Sequence, residues 1–254
     1  MSDPEYNRIA SQYKTAKQQT WRSAIEENTL FSLLPDLSQL SILDIACGDG
    51  IYTRKLKKLG AKNIIGVDIS SNMIHLAQQE ENRNPLGIRY EVGDAAQLEY
   101  NKKYDIVFAS YLFNYARNQE ELVTYCNSIF QSLKPGGQLI GMNDNPQNLP
   151  KDYHRYKKYG FIKSCPPQRV EGSPISYTIY NSDGSSFSFD NYYLSSDTYK
   201  KTFTSAGFKN FQWVQPFLSD DPKITGAINF WDDFIDHAPI VAIQATRPSN
   251  APDS

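Results

Sequence analysis

The sequence predicts an α/β fold with a parallel sheet covered by helices on both faces. Two observations support this prediction. Short apolar runs alternate with amphipathic helical patterns from about residue 40 to residue 142, and a glycine-rich turn, Asp44–Gly50, joins the first apolar run directly to a helical pattern. Strands that alternate with helices require right-handed crossovers, and such crossovers produce parallel sheets.

Each predicted element follows from a local pattern. Apolar spacing predicts a helical N-terminal stretch over residues 4–34, which Pro35 ends. The predicted strands of the alternating region are Ile42–Ile45, Asn63–Asp68, Ile88–Val92, Asp105–Ser110 and Gln138–Met142. The predicted helices are Tyr52–Leu59, a helix that contains Met73 and is capped by Ser70 or Ser71, and Glu120–Leu133, which ends at the turn Lys134–Gly137.

The alternation stops after Met142. Prolines interrupt the next segment, and two β-like runs, Ile175–Tyr180 and Ser186–Asp190, then flank the hairpin turn signal Asn181–Gly184. A helix over Ser196–Ala206 and strands over Phe211–Val214 and Ile240–Thr246 complete the pattern. The hairpin is therefore predicted to be inserted between the fifth strand and the last helix.

Composition limits the function. The 254 residues carry a net charge of −2 without a dominant Lys/Arg block, which disfavours nucleic acid as the main partner. No apolar run approaches the roughly 20 residues that span a bilayer, and the N-terminus lacks the apolar core of a signal peptide. Cys47, Cys126 and Cys165 are widely spaced and fit neither a disulfide framework nor a zinc site. We expect a cytoplasmic monomer or homodimer without a metal or a membrane partner.

The glycine-rich turn indicates a ligand that approaches the backbone closely. Asp44 and Asp49 make the turn unfavourable for a pyrophosphate, and the G-x-G-x-x-G spacing of dinucleotide sites is not met because Ala46 stands at the first glycine position. A cationic ligand suits an acidic turn. S-adenosylmethionine, which carries an ammonium and a sulfonium, satisfies that condition.

Two downstream carboxylates extend the same prediction. Asp68 ends the second predicted strand, where a carboxylate roughly 20 residues past the glycines accepts from ribose hydroxyls. Asp94 and Ala95 follow the third strand, where they can accept from an adenine amine. The structural alternatives are a helix N-cap for Asp68 and a turn aspartate for Asp94.

Five segments in this order resemble the motifs of class I S-adenosylmethionine-dependent methyltransferases. They are Leu43–Gly50, Gly66–Ser70, Gly93–Ala95, Tyr104–Val107 and Leu133–Gly137. The resemblance implies a Rossmann-like, mostly parallel sheet of seven strands whose last strand is antiparallel. It places the cofactor-binding residues as follows: Asp44, Ala46, Gly48 and Ser110 near the methionine part, Asp68 and Ile69 at the ribose, Asp94 and Ala95 at the adenine, and Met73 in the same site. Ala46 departs from the glycine that many members have.

Outside these motifs, the chain resembles small-molecule members of the family. Tyr6–Tyr13 resembles an N-terminal helix that closes over the cofactor, and Leu112–Ala116 and Phe230–Phe234 are similar to segments of toxoflavin/reumycin-type N-methyltransferases. In that setting Tyr13 is a candidate for a cation–π contact with the sulfonium, and an ordinary helix aromatic is the alternative. We divide one domain into a helical cap (1–36), a cofactor-binding core (37–145), an inserted substrate lid (146–193), a C-terminal part of the core (194–247) and a loose tail (248–254).

The inserted region is rich in tyrosine and phenylalanine, which can stack a flat acceptor or form the region's own core. The candidate acceptor-binding residues are Tyr6, Tyr115, Asn143, Asn145, Tyr153 and Tyr177. His154, His237 and Asn143 are the candidate catalytic groups, although a neutral amine needs no strong base. The sequence thus predicts methyl transfer to a small molecule, preferably to nitrogen, with O- or C-methylation next. An NAD(P)-dependent oxidoreductase and a non-catalytic cofactor-binding module are the other hypotheses.

Overall fold

The computed structural model describes residues 19–181 and 183–249. The strands are β1 (Ser41–Ile45), β2 (Asn63–Asp68), β3 (Arg89–Val92), β4 (Tyr104–Ser110), β5 (Leu133–Asp144), β6 (Phe161–Ser164), β7 (Pro174–Tyr180), β8 (Ser186–Tyr192), β9 (Lys209–Val214) and β10 (Ile240–Thr246). The α-helices are α1 (Glu27–Ser32, preceded by a π-helical turn over Arg22–Glu26), α2 (Ile51–Lys58), α3 (Ser71–Arg83), α4 (Gln119–Ser132), α5 (Ser196–Ser205), α6 (Pro222–Thr225) and α7 (Asp232–Asp236). Two longer 3-10 segments are Pro150–Tyr159 and Ile228–Trp231.

The main sheet has seven strands in the order β3-β2-β1-β4-β5-β10-β9. The pairs from β3 to β5 are parallel, and β10 is antiparallel to both β5 and β9. This architecture confirms the predicted Rossmann-like fold. The chain order reverses at β1, which lies between β2 and β4, and ligands of open α/β sheets bind at the carboxyl ends of the strands beside such a point.

Alternating side chains on the central strands bury two separate cores. Ile42 and Phe108 point into one apolar cluster, whereas their neighbours Leu43 and Val107 point into the other. Because both faces are apolar, β1 and β4 are nearly continuous hydrophobic runs, as expected of strands in a parallel sheet covered by helices.

A second, antiparallel sheet of three strands, β6-β7-β8, contains the predicted hairpin and confirms it. We call it the inserted sheet. Tyr177 pairs with Phe189 across β7 and β8, and their rings stack at 5.5 Å. Phe161 of β6 stacks on Tyr177 at 5.9 Å. The buried face of the inserted sheet therefore joins the first core, and its aromatic side chains pack on one another and on rings outside the sheet, such as Tyr156 at 5.3 Å from Phe161.

Several elements differ from the sequence-based expectation. Strand β5 begins at Leu133 rather than after the predicted turn Lys134–Gly137, because Leu133 pairs with Tyr104 and the Gly136 amide donates to the Arg247 carbonyl. Strand β6 and the 3-10 segment Pro150–Tyr159 were not predicted. Tyr6, Tyr13 and the first part of the helix predicted over 4–34 lie outside the described residues.

Across the described ranges, every helix is too short or too polar to traverse a lipid bilayer.

Candidate functional site

The glycine-rich turn has an unusual backbone. Ala46, Gly48 and Gly50 have φ values of 56°, 58° and 80°, all in the left-handed region. The Cys47 amide donates to the Val67 carbonyl of β2 at 3.1 Å, and the Gly50 amide donates to the Cys47 carbonyl at 3.1 Å. Alanine is the smallest residue with a Cβ, so Ala46 keeps the close approach that the motif requires but adopts a backbone conformation that favours glycine.

Tyr90 of β3 explains why two positions near the turn are glycine. A Cβ on Gly50 would lie 2.8 Å from two ring carbons of Tyr90 and nearer still to its hydroxyl oxygen, and a Cβ on Gly66 would lie 2.7 Å from the ring. The ring of Tyr90 thus packs against Gly50 and Gly66. Burial raises the pKa of Tyr90 well above its ordinary value.

Asp44 fastens the strand to the following helix. Its side chain is buried, and its Oδ2 accepts a hydrogen bond of 2.6 Å from Thr53 Oγ1 of α2. Asp49 is also buried, at 6% exposure. The structure therefore places two carboxylates at the base of the turn, which suits a cation and disfavours a pyrophosphate.

Asp68 joins β2 to the turn through both carboxylate oxygens. Oδ2 accepts from the Gly48 amide at 2.8 Å, and Oδ1 accepts from the Ser70 amide at 2.8 Å. Hydrogen bonds from backbone amides to a carboxylate are strong, so Asp68 shapes the glycine-rich turn from the end of the neighbouring strand. The N-cap of α3 is not Asp68 but Ser70, whose Oγ accepts from the Met73 amide.

The other predicted cofactor residues lie at the same edge with different exposure. Ile69 is 41% exposed, whereas Met73 is buried in the first core. Asp94 caps a short 3-10 turn by accepting from the Ala96 amide at 2.9 Å, and Ala95 is buried. Ser110 ends β4, and its Oγ is buried without a hydrogen-bond partner among the described residues. Buried hydroxyls normally have a partner, so Ser110 fits a polar ligand beside the end of β1.

Two of the predicted acceptor residues, Asn143 and Asn145, lie at the end of β5 and directly after it. Asn145 donates to the Ala238 carbonyl at 2.8 Å and accepts from the Gln147 amide, so its side chain fixes the local loop. Asn143 donates through Nδ2 to the Asp144 carbonyl and to the Tyr199 hydroxyl. Its Oδ1 is buried without a partner in the described ranges.

A buried ion pair that was not predicted from the sequence lies at this edge. Lys163 Nζ of β6 lies 2.6 Å from Asp144 Oδ1 of β5, and the lysine side chain is completely buried. The Tyr177 hydroxyl donates to the same carboxylate oxygen, and Lys163 also donates to Asn148 Oδ1 at 3.0 Å. Burial lowers the pKa of Lys163, an effect that Asp144 opposes, and burial followed by the charge of Asp144 raises the pKa of Tyr177 well above its ordinary range.

The remaining candidates are scattered. Tyr153 is buried, and its hydroxyl accepts from Arg169 Nη1 at 2.8 Å. Tyr115 is half-buried in the 3-10 turn that follows β4. His154 is exposed, and His237 Nδ1 lies 3.6 Å from Asp152 Oδ2. The structure thus collects the predicted cofactor residues at one edge more closely than it collects the predicted acceptor residues.

A second missed cluster surrounds Glu26. Its carboxylate is fully buried and accepts from the Tyr52 hydroxyl, the Tyr111 hydroxyl and Arg22 Nη1. The four-residue spacing of Arg22 and Glu26 in a helical segment was the available sequence signal.

Within residues 19–181 and 183–249, no three or more His, Cys, Asp or Glu side chains are grouped so that they could hold a metal ion.

A family model described as a methyltransferase domain matches residues 42–137, the segment that carries the turn, Asp68, Asp94 and Ser110. Residues 42–137 thus form a methyltransferase domain, and the described fold is the Rossmann-like fold of such enzymes. S-adenosylmethionine is the cofactor that this domain class implies, as the sequence predicted.

Individual relatives agree with this assignment. The chain is 34% identical over 122 residues to a demethylmenaquinone methyltransferase of Lactococcus lactis, a match covering 45% of this chain and 46% of that protein. It is 27% identical over 171 residues to an N-demethylindolmycin N-methyltransferase of Streptomyces griseus, with 66% and 68% covered. The chain thus spans about half the length of the first relative and two thirds of the second.

A solved structure shows the same fold. The S-adenosylmethionine-dependent methyltransferase from Mesorhizobium loti superposes with a TM-score of 0.62 at 20% identity, covering 87% of this chain and 97% of that one. At this identity the likeness concerns the fold alone.

Proposed function

We propose that the protein transfers a methyl group from S-adenosylmethionine to a small-molecule acceptor, preferably to nitrogen. The observation that carries the proposal is the pairing of Asp68 with the Gly48 amide, which joins the end of β2 to the glycine-rich turn. Together with Asp44 and Ser110, this pairing builds a cationic-ligand site at the point where the strand order reverses.

The chain's own residues have distinct proposed tasks. Asp68 and Ile69 hold the ribose, and Asp94 and Ala95 meet the adenine. Asp44, Ala46, Gly48 and Ser110 receive the methionine part, and Met73 supports the site from the core. When bound, the cofactor supplies an electrophilic methyl on a sulfonium. The protein's contribution is then to hold the acceptor atom in line and to exclude water.

The acceptor side is proposed to lie between the ends of β4 and β5 and the inserted sheet. The pairing of Lys163 with Asp144 fastens that sheet to the end of β5, which supports the proposal that the segment 146–193 acts as a lid on the core. We retain the division into a cap, a core, a lid and a C-terminal part as a proposal. Tyr115, Asn143, Tyr153 and Tyr177 are the acceptor candidates within the described residues.

The preference for nitrogen is supported by two likenesses. One is the resemblance of Leu112–Ala116 and Phe230–Phe234 to toxoflavin/reumycin-type enzymes, and the other is the similarity to the N-demethylindolmycin enzyme. An O-methyltransferase is the second candidate, because the chain is also 34% identical over 118 residues to a rat ubiquinone biosynthesis O-methyltransferase.

Calorimetric titration with S-adenosylhomocysteine tests the cofactor site. We expect the wild type to bind and Asp68→Ala to lose at least about tenfold in affinity, because two charge-assisted hydrogen bonds that shape the turn disappear with the carboxylate. The matched control is Asp105→Ala. Asp105 also accepts a backbone amide, from Ser41 at 2.8 Å, but at the opposite end of β1. A folded wild type that binds NADH and not S-adenosylhomocysteine would contradict the proposal.

Incubation with methyl-labelled S-adenosylmethionine and a deproteinised metabolite extract tests the acceptor class. We expect label in small products that extract as amines. Label that enters RNA or protein instead, when those fractions are supplied in parallel, overturns the small-molecule proposal. Binding without any transfer supports the non-catalytic module.

A further inference from the structure

One buried carboxylate links three segments around the candidate donor site. Glu26, on the helix that precedes the core, has no exposed surface. It accepts from the hydroxyls of Tyr52 and Tyr111, and Arg22 Nη1 contacts its two oxygens at 3.0 and 3.2 Å. Arg22 balances the charge of Glu26, so the buried pair is neutral overall.

The two tyrosines follow the ends of the strands beside which the methionine part is expected to bind. Tyr52 is the second residue of α2, which begins directly after the glycine-rich turn. Tyr111 directly follows Ser110 at the end of β4. Strands β1 and β4 are neighbours, with Ile45 paired to Ala109. Glu26 therefore bridges the residues that follow the carboxyl ends of β1 and β4.

Tyr111 is held in a conformation that it would not adopt unaided. Its φ is 63°, in the left-handed region, where side chains with a Cβ are disfavoured. Its amide donates to the Met142 carbonyl at 2.7 Å, and the Arg22 guanidinium lies 5.9 Å from its ring. Strained residues that are fixed in this way cluster at functional sites, and the inference runs from the observed outlier to a function.

Tyr111 also neighbours the acceptor side. It lies close enough to Tyr177 of the inserted sheet to contribute to the raised pKa of that phenol, after burial and the effect of Asp144. Tyr111 packs against the first core, which also contains Tyr177 and Phe189 of the inserted sheet.

We propose that Glu26 is a positioning residue for methyl transfer, which holds the hydroxyls of Tyr52 and Tyr111 and thereby fixes the Tyr111 ring between donor and acceptor. The inference rests on the proposed function. It adds a residue outside the matched domain, because Glu26 precedes residues 42–137.

The test measures three variants, namely Glu26→Gln, Tyr111→Phe and the double variant that combines these two changes. Glu27→Gln is measured as the control. Glu27 is the matched control because it lies next to Glu26 and pairs with Lys55 of α2, so it links the same two helices without touching Tyr111. Three quantities are measured for each folded variant: the single-turnover rate of label transfer, the Kd of S-adenosylhomocysteine and the Tm. The acceptor is the extract fraction that the wild type labels.

We expect Glu26→Gln and Tyr111→Phe each to slow transfer about tenfold or more, since misplacement of reacting groups is costly, while the Kd changes less than about threefold. The double variant is no slower than the slower single variant, because both changes remove one shared interaction. Glu27→Gln transfers at the wild-type rate.

Two results overturn the inference. One is a Glu26→Gln protein with a lower Tm but a wild-type rate per folded molecule, which would make the cluster merely structural. The other is a Glu26→Gln protein whose transfer rate and affinity for S-adenosylhomocysteine fall by the same factor. If Glu26→Gln does not fold, Tyr111→Phe decides alone, since it removes only a hydroxyl. A wild type that neither binds S-adenosylhomocysteine nor transfers label contradicts the proposed function instead.

Discussion

At the scale of single residues, the candidate cofactor site depends on backbone conformations rather than on one reactive group. Gly50 combines a left-handed φ of 80° with close contact to the ring of Tyr90. The first property favours glycine at any turn, and the second is specific to this packing. The two contributions can be separated by experiment because Gly184, in the hairpin turn, has a φ of 83° with nothing near its Cβ position.

We therefore expect Gly50→Ala to be much more damaging than Gly184→Ala. Gly184→Ala loses about 1–2 kcal/mol of unfolding free energy from the left-handed conformation alone. Gly50→Ala adds an overpacking cost of about 1–3 kcal/mol against Tyr90 and weakens S-adenosylhomocysteine binding. Urea unfolding and calorimetry measure both quantities, and equal losses for the two variants would contradict the packing argument.

At the scale of elements, the inserted sheet is fastened to the main sheet by a buried ion pair. Lys163 of β6 and Asp144 of β5 are each within hydrogen-bond distance of further polar groups, including the Tyr177 hydroxyl and Asn148. Breaking a buried pair leaves an uncompensated charge, whereas removing both charges relieves that cost. The pair therefore fixes where the inserted sheet sits more than it adds to total stability.

A double-variant cycle measures this effect. Lys163→Met is expected to lose about 3–5 kcal/mol of unfolding free energy, because Asp144 keeps its charge in a buried site. Adding Asp144→Asn restores part of that loss. The partly exposed pair Lys134–Asp105, whose lysine side chain is 41% exposed, supplies the control, and Lys134→Met costs less than about 1 kcal/mol. Additive losses at Asp144 and Lys163 in urea unfolding would show that the two do not interact.

At the scale of the whole molecule, the protein buries many phenols. Tyr52, Tyr177 and Tyr199 are almost completely buried, and burial raises the pKa of each above its ordinary value. Above about pH 10 the unfolded chain releases these protons while the folded protein keeps them. The unfolded state then binds fewer protons than the folded state, so stability falls as the pH rises.

We expect the buried phenols to lower the unfolding free energy above about pH 10, by roughly 1.4 kcal/mol per pH unit for each such phenol. Urea unfolding at a series of pH values measures the slope, and phenolate absorbance measures the ionisation. Tyrosines that ionise near pH 10 while the protein stays folded would contradict the expectation. Tyr199→Phe reduces the slope and serves as the control.

Cofactor binding gives a second expectation at this scale. A ligand that binds only the folded state stabilises it by about 2.7 kcal/mol at one hundred times its Kd. S-adenosylhomocysteine should therefore raise the Tm of the wild type and of Asp105→Ala, and raise that of Asp68→Ala much less. An equal rise in the Tm of all three proteins would show that Asp68 does not contribute to binding S-adenosylhomocysteine.

Much of the fold, and the placement of the candidate donor residues at one sheet edge, could be predicted from local sequence signals. The alternation of apolar runs and helical patterns reproduced β1, β2, β4 and β10 closely, since each depends on residues adjacent in the chain. The hairpin of β7 and β8 was predicted for the same reason. The 3-10 segment Pro150–Tyr159 and strand β6 were missed, because they are short and their position depends on packing against distant residues.

The sequence by itself determined the class of the domain and the donor turn, because the turn, Asp68 and Asp94 follow their strands directly and strand order brings their ends to one edge. Only the tertiary structure decided how the proposed acceptor side is built. Asp144 pairs with Lys163 across 19 positions and Glu26 with Tyr111 across 85, and no local pattern encodes such pairs. A buried charge must find a partner, and which partner it finds is decided when distant elements pack.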